Sequence, residues 1–139
     1  MQVTKSLDYA VRSLTFMGHA PVTKHSMREI SERQYIPLNY LAKIMRRLVK
    51  KGIVKSSVGP DGGYTLRKSP REISLRDIYE AIEGETRMVD CMEKDSICRL
   101  HESCPQLPVW DRVQISMIKL LDETTLEDIL RGDGTAKFN

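Results

Sequence analysis

The chain has 139 residues, 40% hydrophobic and 6% aromatic, with 22 basic and 19 acidic side chains and a net charge of +3. Those values describe one globular domain with a modest core, and the absence of any run of about 18 apolar residues excludes a membrane-spanning helix. The first residues, MQVTKSLDYAVRSLTF, lack the apolar run and small-residue cleavage site of a secretory signal. The expected compartment is therefore the cytoplasm, where disulfides are uncommon.

The small net charge conceals an asymmetry. Residues 1–76 hold 15 Lys and Arg against 5 Asp and Glu, whereas residues 77–139 hold 7 against 14. The basic half suits a polyanion and the acidic half would be repelled by it. The alternative is two solvated faces of opposite sign.

In chain order, Leu7, Val11, Leu14 and Met17 recur at helix-face spacing over 4–18, and Pro21 ends that helix. A second helix begins at SMREISER, where Ser26 and Glu29 have capping-box spacing. Pro37 fits the first turn of a third helix that stops at Gly52. Two short helices with a tight connection, QYI, form a helix-turn-helix pattern. At about 100° per residue, Leu38, Leu41, Ile44, Met45 and Leu48 share one side of the third helix. Asn39, Lys43, Arg46 and Lys50 fall in a narrow wedge opposite, and no acid occurs between positions 33 and 60. A basic, amide-bearing front over an apolar back is the pattern of a DNA-reading helix. Asn39 and Tyr40, at its start, are the expected base or groove contacts. Lys43, Arg46, Arg47 and Lys50 are expected on phosphates.

Ile53, Val54 and Val58 precede the turn-rich GPDGG, and Tyr64, Thr65 and Leu66 follow it. This predicts a β-hairpin wing with a glycine-rich tip, bringing Lys55, Arg67 and Lys68 to phosphates. A nucleotide-cradling loop is the alternative, but no helix bearing the P-loop Lys-Ser/Thr follows. Ser74 and Asp77 cap the next helix, which buries Leu75, Ile78, Tyr79 and Ile82 and closes at Gly84. A long helix over 107–122 carries Val109, Trp110, Val113, Ile115, Met117, Ile118, Leu120 and Leu121, more than one apolar stripe. Such a helix has two surfaces to hide, one on its own core and one on a second copy. A short helix capped by Thr125 and a loose tail complete the chain.

All three cysteines lie in one polar stretch of fourteen residues, CMEKDSICRLHESC, as Cys91-x6-Cys98-x5-Cys104. Scattered thiols would be the mark of incidental cysteines, and a thiol nucleophile lacks an orienting group here, so the chain is not read as an enzyme. Metal binding remains. Thiolates suit zinc or an iron–sulfur cluster, and the wide spacings favour the cluster over the short pairs typical of zinc. The fourth ligand must come from His101, from Asp90, Asp95 or Glu102, or from elsewhere in the fold.

Together, DYAVRSL, IPLNYLAKIMRRLVKKGIV, SSVGPDGGYTL and three cysteines before a long helix resemble the IscR/NsrR/RirA group of iron–sulfur regulators, the Rrf-two family. The resemblance covers residues 1 to about 131. It implies a mainly α fold with a small β-hairpin wing: a winged helix-turn-helix plus a long dimerisation helix. It further implies a homodimer on a roughly palindromic double-stranded operator, and regulation, as a repressor, by gain or loss of a cluster. IscR-like members carry 2Fe-2S and NsrR-like members 4Fe-4S that nitric oxide attacks. The expected layout is a DNA-binding domain over 1–84, a cluster loop over 85–106, dimerisation and C-terminal helices over 107–131, and a tail over 132–139.

This chain departs from the family pattern in three places. The first cysteine spacing is x6 where x5 is usual, and Leu107 stands where IscR-like members place a histidine ligand. His101, and Asp8 from the other subunit as in NsrR-like members, are the candidate replacements for that ligand. Val58 also runs directly into Gly59, without the wing arginine of IscR-like members. The alternative functions are a zinc-stabilised winged-helix DNA-binding protein and a small iron–sulfur electron-transfer protein.

Overall fold

Thr4 opens the first helix, α1 (Lys5–Gly18), by accepting a hydrogen bond from the Leu7 amide at 3.1 Å. The computed structural model describes residues 3–87 and 98–132. Leu7, Ala10, Leu14 and Met17 form the buried face of α1. Val11 is only partly buried, though it still packs against the core. Ser13 shares the buried face and satisfies its hydroxyl by donating to Tyr9 O at 2.7 Å. Helices α2 (Met27–Gln34), α3 (Leu38–Lys50), α4 (Leu75–Glu83) and α6 (Leu126–Arg131) all pack on α1. The core therefore surrounds this first helix.

Helix α2 starts at Ser26, whose hydroxyl accepts from the Glu29 amide at 3.0 Å. Only half of the expected capping box forms. The Glu29 carboxylate turns to His25 Nδ1, 3.4 Å away, because His25 is buried beside Phe16 with a polar ring to satisfy. Pro37 is the N-cap of α3, in extended conformation, one position earlier than the first-turn site expected for it. Leu41, Ile44, Met45 and Leu48 are buried, as their spacing requires. Leu38 is not: it is 48% exposed, lying in the first turn where α3 projects past the core. Gly52, at φ +74°, takes the chain out of the helix in a conformation that suits glycine.

The wing consists of β1 (Val54–Ser57) and β2 (Gly63–Leu66), antiparallel, with Val54 opposite Leu66 and Ser57 opposite Gly63. The turn-proximal end of β2 is pinned by His25 and Tyr64, which exchange backbone hydrogen bonds of 2.9 and 2.8 Å. Gly63 permits that approach, since a Cβ there would stand 2.8 Å from His25 O.

Ser74 and Asp77 form a complete capping box for α4, and Thr125 and Asp128 do the same for α6. The two helix starts are stitched together by Leu75 N to Thr124 O at 2.7 Å and Leu126 N to Ile73 O at 2.8 Å. Leu126 is fully buried in the core. Leu130 lies over Gly18, where a Cβ would meet it at 2.9 Å. Helix α6 is thus keyed into the head, although chain order puts it after the long helix.

That long helix, α5 (Leu107–Glu123), has no buried residue. Val109, Trp110, Val113 and Leu120 on one side are all exposed, and so is Ile115. Arg76 of α4 joins α5 to the head by donating to Asp122 at 3.0 Å while also bonding Glu80 at 2.8 Å. Those hydrogen bonds to Glu80 and Asp122 hold the guanidinium above its usual pKa.

Truncating Leu126→Ala is expected to lower stability by about 2–5 kcal/mol in equilibrium denaturation. Truncating the exposed Val113 to Ala should leave the stability of the single chain within about 0.5 kcal/mol of the parent.

Candidate nucleic-acid interface and thiol segment

The four apolar residues that face inward from α3 decide what it shows to solvent. Asn39, Tyr40, Lys43, Arg46 and Lys50 are all exposed. Among the described residues, no acid pairs with Lys43, Arg46 or Lys50. Their charge is available to a polyanion. Lys55 is exposed on β1 opposite Thr65, and Arg67 and Lys68 are exposed just past β2. Lys24 fastens the wing tip to the loop before α2 by donating to Asp61 O at 3.2 Å. Arg47 differs from its neighbours. It donates to Ile82 O at 2.9 Å and so ties α3 to the end of α4.

A network behind the start of α3 escaped the reading of residue types. Arg12 donates to Asp8 from Nε at 3.1 Å and again from Nη2, and from Nη1 it reaches Gln34 O at 2.9 Å. The hydrogen bond to Asp8 raises the pKa of this guanidinium above its usual value. The same group lies 4.9 Å from the centre of the Tyr9 ring, and Tyr9 meets Tyr40 edge-on at 6.1 Å. A cation over a ring face and an edge-on ring pair are both favourable contacts. They hold Tyr40 and the turn before α3 in one orientation. The four-residue spacing of Asp8 and Arg12 was the available signal; the role of Tyr9 had none.

Of the expected metal ligands, Cys91 lies outside the described residues, as do Asp90 and Asp95. Cys98 is exposed and Cys104 is half-buried; they are not bonded to each other. His101 begins a 3-10 turn (His101–Ser103) between them, with its amide donating to Cys98 O at 3.1 Å. Two thiols and an imidazole thus fall within seven residues of polar chain directly before α5. That donor set fits a soft or borderline metal. Among the described residues, no group of three or more His, Cys, Asp or Glu converges into a metal site. Asp8 is occupied by Arg12. His101, Leu107, Pro108, Asp111 and Gln114 line a groove of about 470 Å³ beside the thiol turn.

Residues 3–132 match the family Rrf2, described as iron-dependent transcriptional regulator. Protein rrf2 of Nitratidesulfovibrio vulgaris is 30% identical over 132 residues, 94% of this chain and 88% of that protein. The solved structure of T. potens IscR is 28% identical and has a TM-score of 0.75, covering 99% of this chain and 91% of that one. CymR of B. subtilis, titled the global cysteine regulator, is 26% identical with a TM-score of 0.70, over 94% and 97% of the two chains. No helix among the described residues is long and apolar enough to cross a membrane.

Substituting Lys43→Gln is expected to weaken binding to every duplex and to lower the slope of log affinity against log salt by about 1. Substituting Asn39→Ala should relax sequence preference with little change in that slope. Arg47→Gln should instead lower thermal stability, by about 1 kcal/mol for the lost bond to Ile82 O. Fluorescence titrations over a salt series, paired with thermal unfolding, separate the three behaviours.

Proposed function

Starting from the fact that this chain belongs to the Rrf2 family and is a DNA-binding transcriptional regulator rather than an enzyme, we propose a cytoplasmic, homodimeric repressor that senses an iron–sulfur cluster. One observation supports this most strongly. A soft-metal donor set sits at the root of α5, a helix whose stripe of Val109, Trp110, Val113 and Leu120 stays exposed among the described residues. Control of the donor segment is then control of the helix that joins two copies.

In this reading Cys91, Cys98 and Cys104 hold the cluster, 2Fe-2S or 4Fe-4S, with His101 or the partner subunit's Asp8 as the fourth donor. The bound group supplies a centre whose persistence depends on iron supply, redox state or nitric oxide. The protein does the rest. Drawing the thiolates to one point constrains the chain that leads into α5 and fixes where that helix begins. Pairing α5 with its copy covers Val109, Val113 and Leu120. Arg76 and α6 carry the pose of α5 to the head, which sets the distance between two α3 helices. Heads at fixed spacing fit two half-sites about one helical turn apart, or a multiple of it, on a palindromic operator. Asn39 and Tyr40 read the groove, while Lys43, Arg46, Lys50 and Lys55 neutralise phosphates. Arg47, committed in part to Ile82, contributes less to binding.

A second reading, regulation by the thiols themselves, draws on the exposure of Cys98 and the likeness to CymR. A zinc-stabilised winged helix is a third. An electron-transfer protein is less favoured, since it would have no use for the unpaired basic front of α3.

Protein purified without oxygen should be coloured and contain iron and acid-labile sulfide, and Cys98→Ser and Cys104→Ser should each lose both. A colourless preparation holding zinc alone, or nothing, defeats the cluster reading. Loaded and stripped protein titrated against its own promoter should differ in affinity; coincident isotherms defeat the sensing mechanism.

A further inference from the structure

Tyr35, in the turn between α2 and α3, has φ 54° and ψ 47°, and is the one non-glycine residue with positive φ among the described residues. There an L side chain crowds its own backbone, and glycine is the residue that fits without strain. Such strain persists only where the surroundings impose it. They do so here. The Tyr35 amide caps α2 on Ser31 O, and the Ile36 amide donates to the same carbonyl at 3.0 Å. Ser31 Oγ donates to Ile36 O at 2.6 Å, and Arg12 holds Gln34 O at 2.9 Å. Ile36 itself is buried. The turn is clamped on both sides of Tyr35, so its Cα–Cβ bond leaves the surface in a set direction.

Among the described residues, nothing uses that side chain. It is 86% exposed, and among the described residues its ring meets no other ring and its hydroxyl no partner. Its neighbourhood is the start of α3: Gln34 is tied through Arg12 to Tyr9, and Tyr9 packs on Tyr40. In a helix-turn-helix, that end of the reading helix enters the groove between two phosphate backbones.

On the premise that α3 reads DNA, we propose that Tyr35 is a further DNA contact: its phenol donates to a backbone phosphate oxygen and its ring lies against the adjoining deoxyribose. The group is neutral, so it displaces no counterion and reads no base. It adds affinity that is independent of both salt and sequence, beside lysines whose contribution falls as salt rises.

The test compares wild type, Tyr35→Gly and Tyr35→Phe. The probes are a duplex enriched from random sequence by the wild-type protein and a scrambled duplex of equal length. Each is titrated over a salt series, and each free protein is melted. Tyr35→Gly should melt a few degrees higher, because the strain is gone, yet bind both duplexes about tenfold more weakly. Tyr35→Phe should melt as the parent does and bind about threefold more weakly, the loss of one hydrogen bond. Salt slopes should stay parallel throughout. Wild-type affinity in the Gly variant overturns the proposal. A loss confined to the enriched duplex also overturns it, since that is base reading. If the wild type binds neither duplex, the DNA-binding reading itself fails and this inference with it.

Discussion

What α3 shows to solvent is set by what it buries. Leu41, Ile44, Met45 and Leu48 leave water together with Leu14 and Met17 of α1. A helix seated on four inward residues cannot rotate without exposing some of them, and exposing even one costs about 1.5–3 kcal/mol. The residues about half a turn away around the helix are therefore held outward. The basic front is thus a consequence of core packing as much as of charge. The wing is positioned by the same core through the paired backbones of His25 and Tyr64.

Around this head the polar bonds do selective work. Complete capping boxes at Ser74 and Thr125 start two helices side by side, and backbone bonds join them. Helix α6 thereby returns into the core after α5 has left it. Arg47 spends one donor on the end of α4, and Arg12 spends its donors on Asp8 and Gln34. Those arginines lend rigidity to the turn and to the helix pair, while Lys43, Arg46 and Lys50 stay open to solvent. Residues alike in the chain thus divide between holding the fold and staying open to solvent. The division follows which carbonyls lie within reach.

Helix α5 is the opposite case. Leu107, Met117, Ile118 and Leu121 are half-buried on a helix that packs against α4, whereas Val109, Val113 and Leu120 stay exposed among the described residues. The helix belongs to the acidic second half of the chain, and α3 to the basic first half. One molecule thereby separates a face that attracts a polyanion from a face that repels it and carries an apolar stripe.

Periodicity, capping residues and turn-rich glycines settled the element order, the wing and the apolar back of α3, because those are local properties with short repeat lengths. The grouping of three cysteines in one polar stretch is a fact of residue order and needs no coordinates. Local rules failed where a distant partner competed. Glu29 matched a capping box but met His25; Leu38 matched the stripe but outran the core; Pro37 shifted by one residue. The strained backbone of Tyr35, the Arg12–Tyr9–Tyr40 network and the return of α6 into the head left no mark in the order of residues. Each depends on groups brought together from different helices, and only the packed chain determines which of those groups come within bonding distance.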